Sequence, residues 1–197
     1  MSDRCLHATR RSGTGLIAAC ALALGAVAVA RADALEGVLE VRSAYVNLDK
    51  GVFLLHARVE YPVSPEMASA LRDGVSLSFD LDVRVDQDRR FWFNANIIEL
   101  TLRRELTYHA VSDRYVVRDI RSGDQVTFAT LDEALRYLGR IDDWPILVEP
   151  QLGAGSYSIS VRAGVRRGHL PASLRAILFW TDEWARVSEW YTWSLPV

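Results

Sequence analysis

Residues 75–85 read VSLSFDLDVRV, in which apolar and polar residues alternate without a break. Successive side chains of a β-strand point to opposite faces of a sheet, so this pattern predicts a strand with one buried and one solvated face. The same alternation runs from Phe53 to Tyr61, and Asp49-Lys50-Gly51 just before it predicts a hairpin turn. A partner strand is therefore expected over about 38–48.

The flanking sequence adds two short helices. Ser64-Pro65-Glu66 combines an N-cap, a proline for the first turn and an early acidic residue, which predicts a helix over 65–73. Thr130-Leu131-Asp132-Glu133 is a capping box and predicts a second helix that ends at Gly139.

Further strands are expected over about 97–110, 115–120 and 157–165. A charged turn is expected over 86–90 and a loop over 142–145. Two apolar stretches, about 176–181 and 185–195, are interpreted as a closing hairpin joined at Asp182-Glu183. Together these elements predict one mainly antiparallel β domain, a sandwich or curved sheet of roughly seven to ten strands, with an α+β fold as the alternative.

Composition supports a folded domain. The chain has 197 residues, of which 50% are hydrophobic and 24% charged, with a net charge of -2. Such a chain can bury a core of useful size, so it belongs with neither disordered nor collagen-like proteins. The near balance of basic and acidic residues provides no general positive field, which argues against a nucleic-acid partner.

The N-terminus has the organisation of an export signal. Arg4, Arg10 and Arg11 precede an apolar run over 16–30, and Ala30-Arg31-Ala32 supplies small residues for cleavage. We expect a signal peptide over 1–32, a domain over 33–197 and a periplasmic location, with no stable membrane span after cleavage. The alternative is an inner-membrane anchor that is not cleaved, although the run is shorter than the ~20 residues that a bilayer requires.

No residue pattern points to a catalytic or metal centre. Both cysteines, Cys5 and Cys20, lie in the predicted signal, and His56, His109 and His169 are widely separated without ligand-like spacing. We therefore expect no catalytic residue, no metal, no cofactor and no enzymatic activity.

One carboxylate pair was considered as a minor hydrolase candidate. Asp80 and Asp82 share a strand face and, with His109, are the residues on which such a site would depend. Arg84 continues this face and is expected to keep both carboxylates ionised, which is unsuitable for a general acid.

Aromatic residues are the most unusual feature. The tryptophans, which are the candidate residues for partner or ligand binding, are Trp92, Trp144, Trp180, Trp184, Trp190 and Trp193. Tryptophan suits a core, a protein interface and the face of a sugar alike, so all three roles are open.

The ordered motifs resemble a family of exported proteobacterial proteins, the DUF4390-type domain of unknown function. The motifs that carry the resemblance are Gly74-Val75-Ser76-Leu77-Ser78-Phe79, Phe91-Trp92-Phe93, Leu106-Thr107-Tyr108-His109-Ala110, Tyr115-Val116-Val117, Leu131-Asp132-Glu133-Ala134-Leu135, Trp144-Pro145, Leu170-Pro171 and the segment from Trp184 to Trp193. The resemblance implies an export signal and assigns no catalytic residue. Because genes of this family neighbour those of a membrane sensor kinase and its response regulator, it also implies an envelope-signalling partner.

Two functions are therefore considered. The first is a non-enzymatic module that binds an envelope protein, such as a sensor kinase, through an exposed sheet edge or the aromatic C-terminus. The second is a small-ligand binder that stacks a glycan or lipid-derived ligand on tryptophan.

Overall fold

The structure is a computed structural model that describes residues 37–88, 95–168 and 185–195. The chain divides into two units, 1–31 and 32–197, and the described residues all belong to the second. Its elements are β1 (Glu40–Asp49), β2 (Val52–Glu60), α1 (Pro65–Arg72), β3 (Leu77–Asp88), β4 (Ala95–His109), β5 (Arg114–Asp119), β6 (Gln125–Phe128), α2 (Leu131–Leu138), β7 (Arg140–Val148), β8 (Ser156–Arg167), β9 (Ala185–Val187) and β10 (Tyr191–Leu195).

These strands form two antiparallel sheets around a shared core. The small sheet has the order β1-β2-β7, and the large sheet has the order β10-β8-β3-β4-β5-β6, with β9 paired beside β10 on the same edge of β8. Each strand pair is antiparallel, which confirms the predicted mainly β architecture.

Strand β3 lies at the centre of the large sheet because β4 and β8 pair with it on either side. Its apolar side chains are all buried, and Phe79 meets the ring of Tyr61 edge-on with 4.8 Å between centroids. The alternation in the sequence therefore gives one face to the core and leaves the polar residues on the outer face of the sheet.

The β1–β2 hairpin has the predicted turn. Lys50 and Gly51 both have positive φ, 49° and 79°, and Asp49 pairs directly with Val52. This geometry matches a two-residue type I′ turn, whose twist suits the flanking strands.

Both predicted helices are present with their caps. The Ser64 hydroxyl accepts a hydrogen bond from the Met67 N–H at 3.1 Å, and the reciprocal Thr130–Glu133 hydrogen bonds begin α2. Gly139 follows α2 in ordinary right-handed backbone, and a Cβ there would collide with the Val59 carbonyl. Glycine is needed at this position for the close approach to β2 rather than for a special dihedral angle.

Two local predictions, the turn over 86–90 and the loop over 142–145, were wrong in the described residues. Residues 86–88 continue β3, and residues 142–145 lie in β7 despite Pro145 and two adjacent aspartates. Strand β7 is an edge of the small sheet and its register with β2 shifts twice. An edge strand with bulges tolerates proline because one side of its backbone needs no ladder partner.

The closing hairpin was also interpreted wrongly in its second half. Strands β9 and β10 are separate, and each pairs with β8 instead of continuing as one strand. The first half, 176–181, and the joint at 182–183 lie outside the described residues. No helix in the described ranges is long and apolar enough to cross a membrane.

Candidate functional site

Trp190 lies on the outer face of the large sheet between two arginines. The guanidinium carbons of Arg84 and Arg162 lie 4.7 Å and 4.5 Å from its ring centroid. Arg84 also contacts Glu99 at 3.1 Å, and Arg162 donates to Asp82 at 3.0 Å. These cation–π contacts fix Trp190 to the sheet, so its main role in the fold is to anchor the segment that leads into β10.

Trp193 and Tyr191 belong to β10 itself and share one face of that strand. Trp193 pairs with Ile159, is half-buried and packs against the core, while 38% of Tyr191 is exposed. Their ring centroids are 5.8 Å apart. Trp190 therefore anchors the segment before β10, Trp193 packs against the core, and Tyr191 is partly exposed.

Within the described residues, the free side of β10 lacks the usual protections of a sheet edge. β10 reads YTWSL, without a charge, a proline or a register shift in its pairing. By contrast, β1 has a bulge between Val41 and Ser43, β7 contains Pro145 and two register shifts, and β6 and β9 are only 4 and 3 residues long. Charges, prolines, bulges and short length are the usual means of blocking edge pairing.

Trp144 lies at a second feature, an open cleft between the two sheets. The cleft has a volume of about 280 Å³. Its lining residues, which define the Trp144 cleft, are Leu102, Arg104, Asp119, Arg121, Ser122, Ile141, Asp142, Asp143, Trp144 and Pro145. Asp143 has a positive φ of 51° at the point where β7 shifts register against β2. This bulge places two carboxylates and an indole next to one another at the cleft.

Asp142 is the most strongly perturbed carboxyl group at the cleft. Arg140 Nε donates to its Oδ2 at 2.6 Å, and Arg58 Nη2 donates to its Oδ1 at 2.7 Å. These charge-assisted hydrogen bonds, that of Arg140 first, lower the pKa of Asp142 to about 2. Asp142 is therefore an ionised acceptor at neutral pH and is unsuited to donate a proton.

Arg104 occupies an inward-facing position of β4, opposite Phe79 of β3. Its Nε lies 3.8 Å from Asp119 Oδ2, and its guanidinium carbon lies 5.3 Å from the Tyr137 ring centroid. The buried Nη1 has no hydrogen-bond acceptor among the described residues. Asp119 in turn accepts from the Arg121 and Ser122 N–H groups at 2.9 Å and 3.1 Å, which fixes the turn at the cleft mouth.

Asp80 and Asp82 line a separate cavity of about 190 Å³ beside β9. Arg103 and Arg166 each lie 2.7 Å from a carboxylate oxygen of Asp80, while Thr101 and Arg162 bind Asp82. Arg84 was expected to keep Asp80 and Asp82 ionised. It instead contacts Glu99 and the ring of Trp190, and other arginines pair with the two carboxylates. Three arginines, Arg162, Arg166 and Arg186, line this cavity beside apolar residues, and the first two pair with the carboxylates.

Neither His56 nor His109 lines the cavity that contains Asp80 and Asp82. His109 is exposed, with Nδ1 3.0 Å from the Ser112 hydroxyl, and lines a different depression from Asp80 and Asp82. His56 stacks on Tyr45 at 4.8 Å, and its Nε2 lies 2.8 Å from Asn47 Oδ1. Among the described residues no group of three or more His, Cys, Asp or Glu side chains could hold a metal ion.

Comparison with protein families gives one match. A family model described as Domain of unknown function (DUF4390) matches residues 37–194. The chain belongs to the DUF4390 family. Comparisons with curated proteins and with solved structures return no match. The DUF4390 match extends from the residues just before β1 to those of β10, so both the β10 edge and the Trp144 cleft lie within the family domain.

The remaining candidate residues lie outside the described ranges of this DUF4390 chain. They are Trp92, Trp180, Trp184, His169 and the predicted cleavage residues Ala30 and Ala32. The sequence interpretation missed Arg104, Asp119 and Arg121, which the fold brings to Trp144. The sequence did contain a signal for Arg104. It is a charged residue between Leu102 and Leu106 in a series of alternate positions that otherwise face the core.

Proposed function

We propose that this DUF4390 protein is exported to the periplasm, where it is a non-enzymatic module that binds another envelope protein through the β10 edge. The observation that carries the proposal is the unprotected free edge of β10 together with the exposed Tyr191. An extended segment of a partner can hydrogen-bond to such an edge and add one strand to the sheet.

The export component rests on the basic residues, the apolar run over 16–30 and the small residues Ala30 and Ala32. An exported partner, such as the sensory part of a membrane kinase, would meet β10 in the same compartment. Strand addition needs only main-chain groups and side-chain pockets on alternate positions, so the module requires no catalytic residue for this role.

Site-specific crosslinking in living cells tests the proposal. A photo-crosslinking amino acid replaces Tyr191 in one chain and Val111 in a control chain, because Val111 is 95% exposed in the turn after β4. We expect one envelope protein to be captured from position 191 and not from position 111. Capture of the same proteins from both positions would contradict an edge-specific interaction.

A charge variant then tests the edge itself. Tyr191→Lys places a charge on β10, as natural edge strands do to prevent pairing, whereas Val111→Lys adds the same charge elsewhere. We expect Tyr191→Lys to abolish binding of the purified captured partner at an unchanged melting temperature and Val111→Lys to preserve that binding. The purified partner should also slow hydrogen exchange of the β10 amides, and unchanged exchange would refute strand addition.

A second candidate function is small-ligand binding at the Trp144 cleft. The specific observation in its favour is that β7 and the β5–β6 connection bring an indole, carboxylates and guanidinium groups to one open cleft. This site lies on the β5–β7 side of the fold, so it does not compete with strand addition at β10.

A further inference from the structure

The Trp144 cleft has two chemically different parts. Leu102 and Ile141 contribute apolar surface, and Trp144 adds a half-buried aromatic side chain. The remaining lining is mostly charged, with two guanidinium groups and three carboxylates. An apolar surface with a few polar groups is the usual composition of a small-molecule site.

The charges oppose a strongly charged ligand of either sign. Asp119, Asp142 and Asp143 would repel an anion, while Arg104 and Arg121 would repel a cation. A purely apolar ligand would bury these ions without compensation. A neutral molecule that both donates and accepts hydrogen bonds fits the donor and acceptor set.

We propose that the Trp144 cleft binds a single neutral pyranose ring, such as one hexose or N-acetylhexosamine unit of an envelope glycan. This inference rests on the second candidate function and specifies its ligand class. The hydroxyl groups donate to the carboxylates and accept from the guanidinium groups, and the C–H face of the ring packs on Trp144.

The volume of the cleft agrees with one ring. A volume of about 280 Å³ lies near the lower end of the range for ligand sites, roughly 300–1,000 Å³. Arg104 is one of the lining residues, and its buried Nη1 has no acceptor among the described residues. After rotation of the guanidinium group, a sugar hydroxyl supplies the acceptor that this nitrogen lacks.

Asp142 and Asp143 have different roles in this proposal. Asp142 is held by Arg58 and Arg140, so it forms a fixed acceptor. Asp143 is 73% exposed at its side chain and makes only a 3.6 Å contact with His56. It is therefore the carboxylate that can reorganise around a ligand, and its removal leaves the described core contacts in place.

The test is a titration of the protein with glucose or N-acetylglucosamine, monitored by the chemical shifts of the backbone amides in NMR spectra. Separate titrations with hexanoate and inorganic phosphate represent an apolar and an anionic ligand. We expect shifts only from the sugars, confined to residues 102–104, 119–122 and 141–145. No shift with either sugar at tens of millimolar would overturn the proposal. Shifts only from hexanoate or phosphate would replace it with an apolar or anionic ligand.

Asp143→Asn provides the site-specific variant, and Asp113→Asn is its matched control. Both aspartates have a φ of 51° and both are exposed, Asp143 at the register shift of β7 and Asp113 in the turn before β5, so backbone effects of the exchange are similar. We expect Asp143→Asn to weaken sugar binding about tenfold and Asp113→Asn to leave it unchanged, since only the former removes a carboxylate from the lining of the Trp144 cleft. Equal affinities in both variants would exclude the Trp144 cleft.

The two proposals fail separately. Tyr191→Lys should bind sugar like the native chain, and Asp143→Asn should be crosslinked to its partner from position 191 like the native chain. Loss of sugar binding in Tyr191→Lys at an unchanged melting temperature would contradict two independent sites.

Discussion

Gly139 ends helix α2 where the chain passes against the backbone of β2. The Val59 N–H donates to the Gly139 carbonyl at 2.8 Å, and the space for a Cβ is already filled by the Val59 carbonyl. A side chain here must push β2 away from α2. The position is therefore constrained by packing between two elements, although its dihedral angles suit any residue.

Replacement of Gly139 by alanine is expected to destabilise the fold by about 1–3 kcal/mol, because overpacking displaces backbone. Gly153→Ala is the control, since the nearest atom to its added Cβ is the Tyr157 hydroxyl at 3.8 Å. Urea denaturation of both variants measures the effect. Equal free energies of unfolding would show that the close approach at Gly139 relaxes without cost.

Asp142 predicts a pH dependence of stability. Hydrogen bonds from Arg140 and Arg58 hold its pKa at about 2, below the ordinary value of 3.8. A lowered pKa in the folded state stabilises the protein above the unfolded pKa, and the stabilisation disappears as pH falls from about 4 to about 2.

The corresponding experiment compares denaturation midpoints of the native chain and Asp142→Asn across this acidic range. We expect the native chain to be more stable at pH near 6 and the difference to shrink steadily on acidification. A difference that does not change with pH would assign the effect of Asp142 to its shape instead of its charge.

At the residue scale, the sequence identified Trp144 as a candidate but not its surroundings. Arg104 and Asp119 come from β4 and β5, whereas Trp144 comes from β7 of the other sheet. Their juxtaposition depends on how the two sheets pack, which no local pattern contains. Trp190 is a similar case, because its two arginine neighbours come from β3 and β8.

At the scale of elements, the β1–β2 turn offers a stabilising change. Lys50 has a φ of 49°, a conformation that asparagine adopts more readily than lysine, and it precedes Gly51 in a type I′ turn. Lys50→Asn is expected to raise the free energy of unfolding by about 0.5–1 kcal/mol. Thermal melting measures this effect.

The matched variant for this turn is Lys50→Val. A β-branched residue resists positive φ, so the melting temperature should fall below that of the native chain. If asparagine and valine changed stability equally, the turn conformation would not limit the stability of the hairpin.

Elements with strong local signals were predicted correctly, and those governed by tertiary pairing were not. Capping residues at Ser64 and Thr130 and alternation in β2 and β3 are encoded within a few neighbouring residues. Strand β6 has only 4 residues and was missed, because pairing with β5 defines it. Strand β7 was taken for a loop, because Pro145 and the adjacent aspartates are turn residues in most contexts.

At the scale of the whole molecule, the proposed export signal makes a prediction about processing. Small residues at 30 and 32 suit signal peptidase. The intact mass of the exported protein should therefore equal that of a chain that begins at Asp33. Ala32→Tyr should block this cleavage, whereas Arg31→Gln should be cleaved normally. Normal processing of Ala32→Tyr would place the cleavage elsewhere or show that the segment is retained as an anchor.

The overall class of the DUF4390 domain followed from its periodicity, but the arrangement of its sheets did not. Alternation assigns a buried face to each strand without stating which strand is its neighbour. The division into a three-stranded and a seven-stranded sheet depends on long-range pairing, above all between β3 and β8.

That central pairing also determines the order in which the chain can fold. Strand β3 pairs with β4, which follows it directly in the sequence. Strand β8 also pairs with β3 but comes only after β4 to β7 and α2 in the chain. Closing so long a loop is entropically costly, and folds rich in such contacts fold slowly. Until β8 pairs with it, β3 has a free edge that is open to intermolecular pairing. If the chain is exported unfolded, as proposed above, β3 would be expected to need protection by a chaperone until the last strands emerge.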